Sequence, residues 1–251
     1  LKKINADIFI SPDGFASLKT NVPQLTVIHD IAFEHYPQFI PFLTRKYYRY
    51  YSPKYAHKVE CIATVSNFSK QDISVKYNIA ASKIDVVYNG TNPSCKPLNN
   101  VEKQQVKMQY CEGCDYFIFI SAVHPRKNLG RILQAFDIFK NQTKSKTKLI
   151  VAGRMAWKNE KLKSVYEKMQ HQQEVIFVGH LPNLEIERLI ASAIALCYAS
   201  LFEGFGIPIL EAMYAETPVI TSNVSSMPEV AGDAALLVNP TNIESICEAF
   251  V

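Results

Sequence analysis

The sequence predicts an α/β protein built from two doubly wound units, each a parallel sheet with helices on both faces. Short apolar runs alternate with helical patterns along most of the 251 residues. The runs are continuous rather than alternating, which is typical of strands buried on both faces of a parallel sheet. The alternation restarts at Tyr116, after a polar stretch rich in proline and asparagine. We therefore expect two units that face one another across a cleft.

The first unit is predicted from strands near residues 7–12, 24–30, 61–65 and 84–88, and it ends at Asn89 and Gly90. The second strand run ends in His29 and Asp30, which places both at a carboxyl edge, where ligands bind in such sheets. The titration range of histidine suits His29 to polarising a substrate hydroxyl. A structural histidine is the alternative interpretation.

A helical pattern over residues 41–60 is rich in tyrosine and basic residues. One interpretation is a peripheral membrane-surface helix that approaches a lipid-linked substrate through aromatic and cationic side chains. The other is a packed helix with solvated charges that breaks at Pro53. We expect residues 1–93 to form the amino-terminal domain, 94–113 a linker and 114–251 the second domain.

The second unit is organised around the stretch Glu203-Gly-Phe-Gly-Ile-Pro-Ile-Leu-Glu211, which joins a strand run at residues 193–198 to a helix. Gly204 and Gly206 let the backbone approach a ligand closely, and the helix amino terminus favours an anion such as a diphosphate. Glu211 is placed to accept hydrogen bonds from vicinal hydroxyls. An ordinary connection with solvated acids is the alternative.

Two cations, Arg126 and Lys127, occupy the first strand-to-helix loop of the second unit. Loops at the carboxyl ends of one parallel sheet converge, so we expect these side chains near the helix that carries Glu211. Guanidinium and ammonium groups both suit phosphate oxygens. A solvated basic loop is the alternative.

Composition excludes several classes of protein. The net charge of +4 is too small to predict nucleic-acid binding, and no apolar run has the length of a membrane span. The first five residues do not predict a signal peptide, so we expect a cytoplasmic protein. The six cysteines are interpreted as reduced thiols, and Cys111 and Cys114 have metal-ligand spacing without a second pair nearby. We expect no bound metal or cofactor.

Several segments, in order, resemble the retaining glycosyltransferases of family four, which have the GT-B fold of two facing Rossmann-like domains. Residues 203–213 are similar to the family's Glu-x7-Glu motif. The other similar segments are residues 29–31 (His-Asp-Ile), 64–70 (Thr-Val-Ser-Asn-Phe-Ser-Lys), 124–128 (His-Pro-Arg-Lys-Asn), 177–181 (Phe-Val-Gly-His-Leu) and 225–234 (Ser-Ser-Met-Pro-Glu-Val-Ala-Gly-Asp-Ala). The His-Asp-Ile segment at 29–31 and the Pro-Arg-Lys-Asn sequence within 124–128 look most like those of bacterial polysaccharide mannosyltransferases.

The resemblance implies transfer of a sugar from a GDP- or UDP-linked donor to a glycan or lipid-linked acceptor, with retained configuration and no metal. It implies that Glu211 binds the ribose and that Lys127 and Arg126 bind the diphosphate. The remaining implied contacts are Leu181 to the base, and Glu203, Gly204, Phe205, Gly206, Ile207 and His29 to the donor sugar.

The chain also departs from the family pattern. Ser121 and Ala122 stand where many members have Gly-Arg, and the family's first strand with its Gly-rich loop is not found, so the amino-terminal domain is expected to be truncated. The alternatives are a non-catalytic sugar-nucleotide-binding fragment or subunit, or another GT-B enzyme such as an epimerase or phosphorylase.

Overall fold

The structure, a computed structural model, describes residues 5–154 and 160–251. It divides into two compact units. The first contains the described part of residues 1–89 together with Phe202–Phe205, and the second contains the described parts of Gly90–Leu201 and Gly206–Val251.

The first unit is a four-stranded parallel sheet with helices packed on it. Its strands, in the spatial order in which they follow the chain, are β1 (Phe9–Ser11), β2 (Gln24–Val27), β3 (Cys61–Thr64) and β4 (Ile84–Val86). Its helices are α1 (Ala32–His35), α2 (Phe42–Lys58) and α3 (Asn67–Tyr77). The core joins fully buried residues of these elements, including Ile62 of β3, Ile73 of α3 and Ile84 of β4.

The predicted break at Pro53 is wrong, because α2 runs through this proline. A proline inside a helix removes one backbone hydrogen bond and strains the preceding turn. Rings spaced four residues apart bridge the position: Tyr51 lies 4.7 Å from Tyr47 and 5.8 Å from Tyr55, centroid to centroid. The hydroxyls of Tyr47 and Tyr55 also hydrogen-bond at 2.9 Å. We attribute the continuity of α2 to these contacts. Among the described residues, no helix has the length and apolarity needed to cross a bilayer.

The second unit is a six-stranded parallel sheet with helices on both faces, as predicted. Its strands are β5 (Tyr116–Ile120), β6 (Lys148–Ala152), β7 (Val175–Gly179), β8 (Ala195–Tyr198), β9 (Val219–Ser222) and β10 (Leu236–Val238). Its helices are α4 (Asn100–Cys111), α5 (Leu129–Thr143), α6 (Glu160–Glu167), α7 (Asn183–Ser192), α8 (Ile207–Tyr214), α9 (Met227–Ala231) and α10 (Ile243–Glu248). α4 lies within the predicted linker and packs against α7.

Successive residues of β5 point to opposite faces of the sheet, and both faces are covered. Phe117 and Phe119 pack with α5, α6 and α10, whereas Tyr116 and Ile118 pack with α4, α7, α8 and α9. This two-sided burial explains why the strand runs are continuously apolar. The strand order is β10-β9-β8-β5-β6-β7, so the winding direction reverses between β5 and β8. Ligands of open α/β sheets bind beyond the carboxyl ends of the strands at such a reversal.

Candidate functional site

The candidate site of the second unit consists of the loops that leave β5 and β8 at this reversal. The loop after β5 forms a 3-10 turn at Pro125–Lys127, and Nδ1 of His124 accepts a hydrogen bond from the Arg126 N–H at 3.3 Å. The Leu201 N–H donates to the Arg126 carbonyl at 2.8 Å, so the two loops are joined directly. The predicted convergence of these loops is therefore observed.

Asn128 holds the end of the turn. It has a left-handed backbone (φ 62°) and is 4% exposed. Its side-chain amide donates to the carbonyls of Ala199 at 2.9 Å and Pro240 at 2.7 Å. Asparagine tolerates this backbone region better than most residues do. The sequence analysis missed this role of Asn128, although its position directly after the two candidate phosphate ligands Arg126 and Lys127 could have drawn attention to it.

Lys127 is held by an aromatic residue that the sequence analysis did not select. Its Nζ donates to the hydroxyl of Tyr198 at 2.9 Å and lies 5.1 Å from the centroid of that ring. Tyr198 is the last residue of β8 and is 2% exposed. This hydrogen bond holds the ammonium group of Lys127 at the carboxyl edge of the sheet.

Helix α8 begins with Ile207 and has Gly206 as its N-cap residue, so Pro208 is its second residue. Gly206 has φ 109°, a backbone region that residues with a Cβ rarely adopt. Ile207 is exposed, whereas Glu211, one turn into the helix, is half-buried. Burial raises the pKa of the Glu211 carboxyl, and the charge of Glu187 raises it further.

Leu181 follows β7 and precedes α7 in the same unit. It is partly buried and packs against the core layer that contains α7 and α8. The structure thus assigns Arg126, Lys127, Leu181, Gly206, Ile207 and Glu211 to the second unit.

Glu203, Gly204 and Phe205 belong instead to the first unit, within Phe202–Phe205. The Gly204 carbonyl accepts hydrogen bonds from Ser66 Oγ at 2.7 Å and from Ser69 Oγ at 3.2 Å. Gly204 approaches the β2–α1 connection so closely that an added Cβ would lie 2.2 Å from the His29 carbonyl oxygen. Glu203 is 6% exposed. Glu203 is therefore a buried residue next to a backbone segment that packs closely against the β2–α1 connection and the start of α3.

Phe202, the first residue of the segment Phe202–Phe205, packs against several aromatic rings. The ring of His35 stacks on it at a centroid distance of 5.0 Å, and Phe68 meets it edge to face at 5.5 Å. His35 is itself held by Asp72, because its Nε2 lies 2.8 Å from Oδ1 of that carboxylate. At the end of the segment, the rings of Phe205 and Tyr88 lie 6.1 Å apart.

Replacing Ser66 by alanine is expected to lower the free energy of unfolding by about 2 kcal/mol, because two buried hydrogen bonds are lost. Besides bonding Gly204, Ser66 Oγ accepts from the Ser69 N–H at 3.0 Å and caps α3. Urea denaturation measures the change. Ser69→Ala, which removes longer hydrogen bonds to the carbonyls of Gly204 and His29 and no cap, is the matched control and should have the smaller effect. Equal effects would contradict the assignment.

His29 lies in the first unit, just beyond the carboxyl end of β2, where the sequence analysis placed it. It is exposed, and its Nε2 lies 3.1 Å from the Pro12 carbonyl. With Asp30, Phe33 and Tyr48 it lines a pocket of about 260 Å³. Asp30 Oδ1 accepts from the Ala32 N–H at 2.9 Å, which orients its carboxylate at the start of α1.

The six cysteines are free thiols. Cys111 Sγ donates to the Cys114 carbonyl at 2.9 Å, and burial raises the pKa of Cys111 to about 11. Within residues 5–154 and 160–251, no three His, Cys, Asp or Glu side chains are grouped as metal ligands would be.

The fold is similar to that of solved glycosyltransferases. HepE from Anabaena, solved in complex with UDP and glucose, superposes with a TM-score of 0.81 at 18% identity, over 96% of this chain and 66% of that one. WaaG, a glycosyltransferase involved in lipopolysaccharide biosynthesis, gives 0.79 at 19% identity, over 99% and 69%. The predicted GT-B fold class is confirmed.

Curated relatives are similar in sequence. The O-antigen chain mannosyltransferase B of Escherichia coli is 31% identical over 223 residues, and the O-antigen chain mannosyltransferase RfbU of Salmonella typhimurium is 30% identical over 222. Each alignment covers 88% of this chain, and the chain spans 58% of the length of each relative.

Two family models match successive parts of the chain. The model described as Glycosyltransferase Family 4 matches residues 1–94, and the model described as Glycosyl transferases group 1 matches residues 101–250. Because the second model alone accounts for more than half of the sequence, the chain belongs to the group 1 glycosyl transferases.

Proposed function

We propose that this chain belongs to a retaining mannosyltransferase of polysaccharide synthesis, in which the second unit binds the nucleotide-sugar donor and the first contributes to the acceptor side. The observation that carries the proposal is the pairing of Lys127 with Tyr198 at the sheet reversal, beside the loop that begins the Glu211 helix. The similarity of the chain to two O-antigen mannosyltransferases supports mannose as the sugar and a glycan or lipid-linked molecule as the acceptor.

Cleavage of a sugar–diphosphate bond builds negative charge on the departing phosphate. Lys127, with Arg126 beside it, supplies fixed positive charge where that negative charge develops, and preorganised charge of this kind is a large contribution to catalysis. The amino terminus of α8, whose N-cap residue is Gly206, adds N–H donors and the positive end of the helix dipole. Glu211 accepts hydrogen bonds from the ribose hydroxyls, and Leu181 contacts the base.

The sugar carries the opposite charge in the transition state. We assign Glu203 and the backbone around Phe205 and Ile207 to the donor sugar, and His29 to one of its hydroxyls, on the resemblance to the family. The proposed reaction transfers the sugar with retained configuration. The acceptor oxygen attacks on the face from which the diphosphate leaves, and the leaving phosphate takes the acceptor's proton.

The exposed aromatic and basic side chains of helix α2 are an argument for a lipid-linked acceptor. Phe42, Leu43 and Tyr50 are 56%, 78% and 58% exposed, and Lys46 and Lys54 lie over the rings of Phe42 and Tyr50. Exposed aromatics beside cations suit the interface of an anionic membrane. We propose that this face makes peripheral membrane contact.

A thermal-shift panel of GDP-, UDP- and ADP-sugars tests the proposed donor class. A nucleotide present at about 100 times its dissociation constant should stabilise the fold by ~2.7 kcal/mol. We expect a GDP-sugar or a UDP-sugar to raise the melting temperature. If none of the nucleotide sugars in the panel raises the melting temperature, the proposed function is refuted.

A further inference from the structure

A basic pocket lies at the amino ends of β5, β6 and β7, the edge of the second sheet opposite the candidate site. Lys148 is the first residue of β6, and Glu174 directly precedes β7. The pocket has a volume of about 360 Å³, and Lys140 and Lys146 also line it. Because β6 has five residues, the two edges are roughly 17 Å apart. The pocket is therefore separate from the site that the proposed chemistry uses.

A buried lysine forms the inner wall of this pocket. Lys140 is 3% exposed, and its Nζ donates to the Thr147 carbonyl at 2.9 Å and to the Ser145 carbonyl. Both carbonyls belong to the connection between α5 and β6, so this ammonium group holds the connection in place. Lysine is almost never buried to this degree unless it is paired, and the carboxylate near Lys140 is that of Glu174, whose Oε2 lies 3.7 Å from its Nζ.

The pocket holds more positive charge than its carboxylate balances. Glu174 is the acidic residue among its lining side chains, and its Oε2 also lies 2.7 Å from Lys148 Nζ. Lys146 is exposed and has no ion-pair partner in the part of the chain that the structure describes. Burial lowers the pKa of Lys140 against the opposing charge of Glu174, and the charge of Lys148 lowers it further. At least three ammonium groups thus face one carboxylate.

We propose that this pocket binds a phosphate or diphosphate group, either free or on a lipid headgroup, between Lys146 and Lys148. A lysine ammonium group offers three N–H donors and a compact positive charge, and both suit phosphate oxygens. The buried ammonium group of Lys140 adds fixed positive charge behind them. A concave site concentrates such a field, so a multivalent anion supplies the negative charge that Glu174 alone does not. The proposal concerns a second site and does not depend on the proposed function.

Protection of Cys114 from alkylation measures occupancy of the pocket directly, because this partly exposed free thiol lines it. The protein is treated with the neutral reagent iodoacetamide at constant ionic strength, and modification is followed by peptide mass spectrometry. One arm adds inorganic pyrophosphate, and the other adds phosphatidylcholine vesicles with or without phosphatidic acid. An anion present at about ten times its dissociation constant should slow modification of Cys114 about tenfold. Cys61, a partly exposed thiol of the first unit, is the internal control and should react at an unchanged rate.

The two arms distinguish the sources of the phosphate group. Saturable protection by pyrophosphate supports a site for a free phosphate compound. Protection by vesicles that contain phosphatidic acid, without protection by pyrophosphate or by phosphatidylcholine alone, supports a site for a lipid headgroup. If neither arm protects Cys114, the proposal is overturned.

Two variants with opposite expected effects separate a phosphate site from an ordinary basic surface. Lys146→Ala removes an exposed ammonium group and should weaken the protecting anion's affinity about threefold to tenfold. Glu174→Gln keeps the shape of the side chain but removes the charge that repels the anion, so it should tighten binding by about threefold or more. The matched control is Lys163→Ala, which removes an exposed lysine of α6 and should leave protection of Cys114 unchanged. Equal protection in the wild type and Lys146→Ala would overturn the proposal.

Discussion

Replacing Gly204 by alanine is expected to abolish sugar transfer and to destabilise the first unit by about 2 kcal/mol or more. The added methyl carbon would lie 2.2 Å from the carbonyl oxygen of His29, which is a backbone atom that cannot turn away. The segment would have to move, and the hydrogen bonds from Ser66 and Ser69 to the Gly204 carbonyl would be lost with it. Glu203 would then leave its buried position. Turnover and urea denaturation measure the two effects.

Gly90→Ala is the matched control for this substitution, because apart from its two chain neighbours no residue has an atom within 4 Å of the position that its Cβ would take. It should leave both turnover and stability near the wild-type values. A Gly204→Ala protein with normal stability and turnover would show that this close backbone approach does not exist in solution.

Replacing Lys127 by alanine is expected to lower turnover by about 10² to 10³, the range seen when one preorganised charge-stabilising group is removed. The charge acts on the departing diphosphate, so the rate should fall more than acceptor affinity does. Steady-state kinetics with varied acceptor separates the turnover number from the acceptor KM. Unchanged turnover would contradict the role assigned to Lys127.

Two further variants distinguish the charge of Lys127 from its placement. Tyr198→Phe removes the hydroxyl to which Lys127 Nζ donates but retains the ring, so it should lower turnover less than Lys127→Ala. Lys144→Ala removes an exposed lysine outside the site and should leave turnover unchanged. A larger loss in Tyr198→Phe than in Lys127→Ala would mean that the phenol, and not the ammonium, is the essential group.

The fold of the second unit was predictable because its sheet is buried on both faces. This burial makes the strand runs of β5, β6 and β8 continuously apolar, and helical patterns separate them along the chain. The convergence of the Arg126 and Lys127 loop with the end of β8 followed from the shared edge of one parallel sheet. The family resemblance was carried by short segments that lie at strand ends, where ligand-contacting residues are concentrated.

Other features depend on contacts between distant residues and leave no local pattern. Nothing in the spacing of residues 203–211 predicts that Gly204 packs against His29 or that Ser66 donates to it. Pro53 alone predicts a break in α2, because the tyrosine contacts that span it are visible only once the helix has formed.

Isothermal titration of the wild type, Lys127→Ala and Glu211→Gln with GDP-mannose, and with UDP-glucose as the alternative donor, measures whether these two residues bind the donor. We expect one site per chain for one of these donors and at least about tenfold weaker binding in each variant, as expected when a charged hydrogen-bond partner is lost. Equal affinity in all three proteins, or no binding of either donor to the wild type, would contradict this expectation.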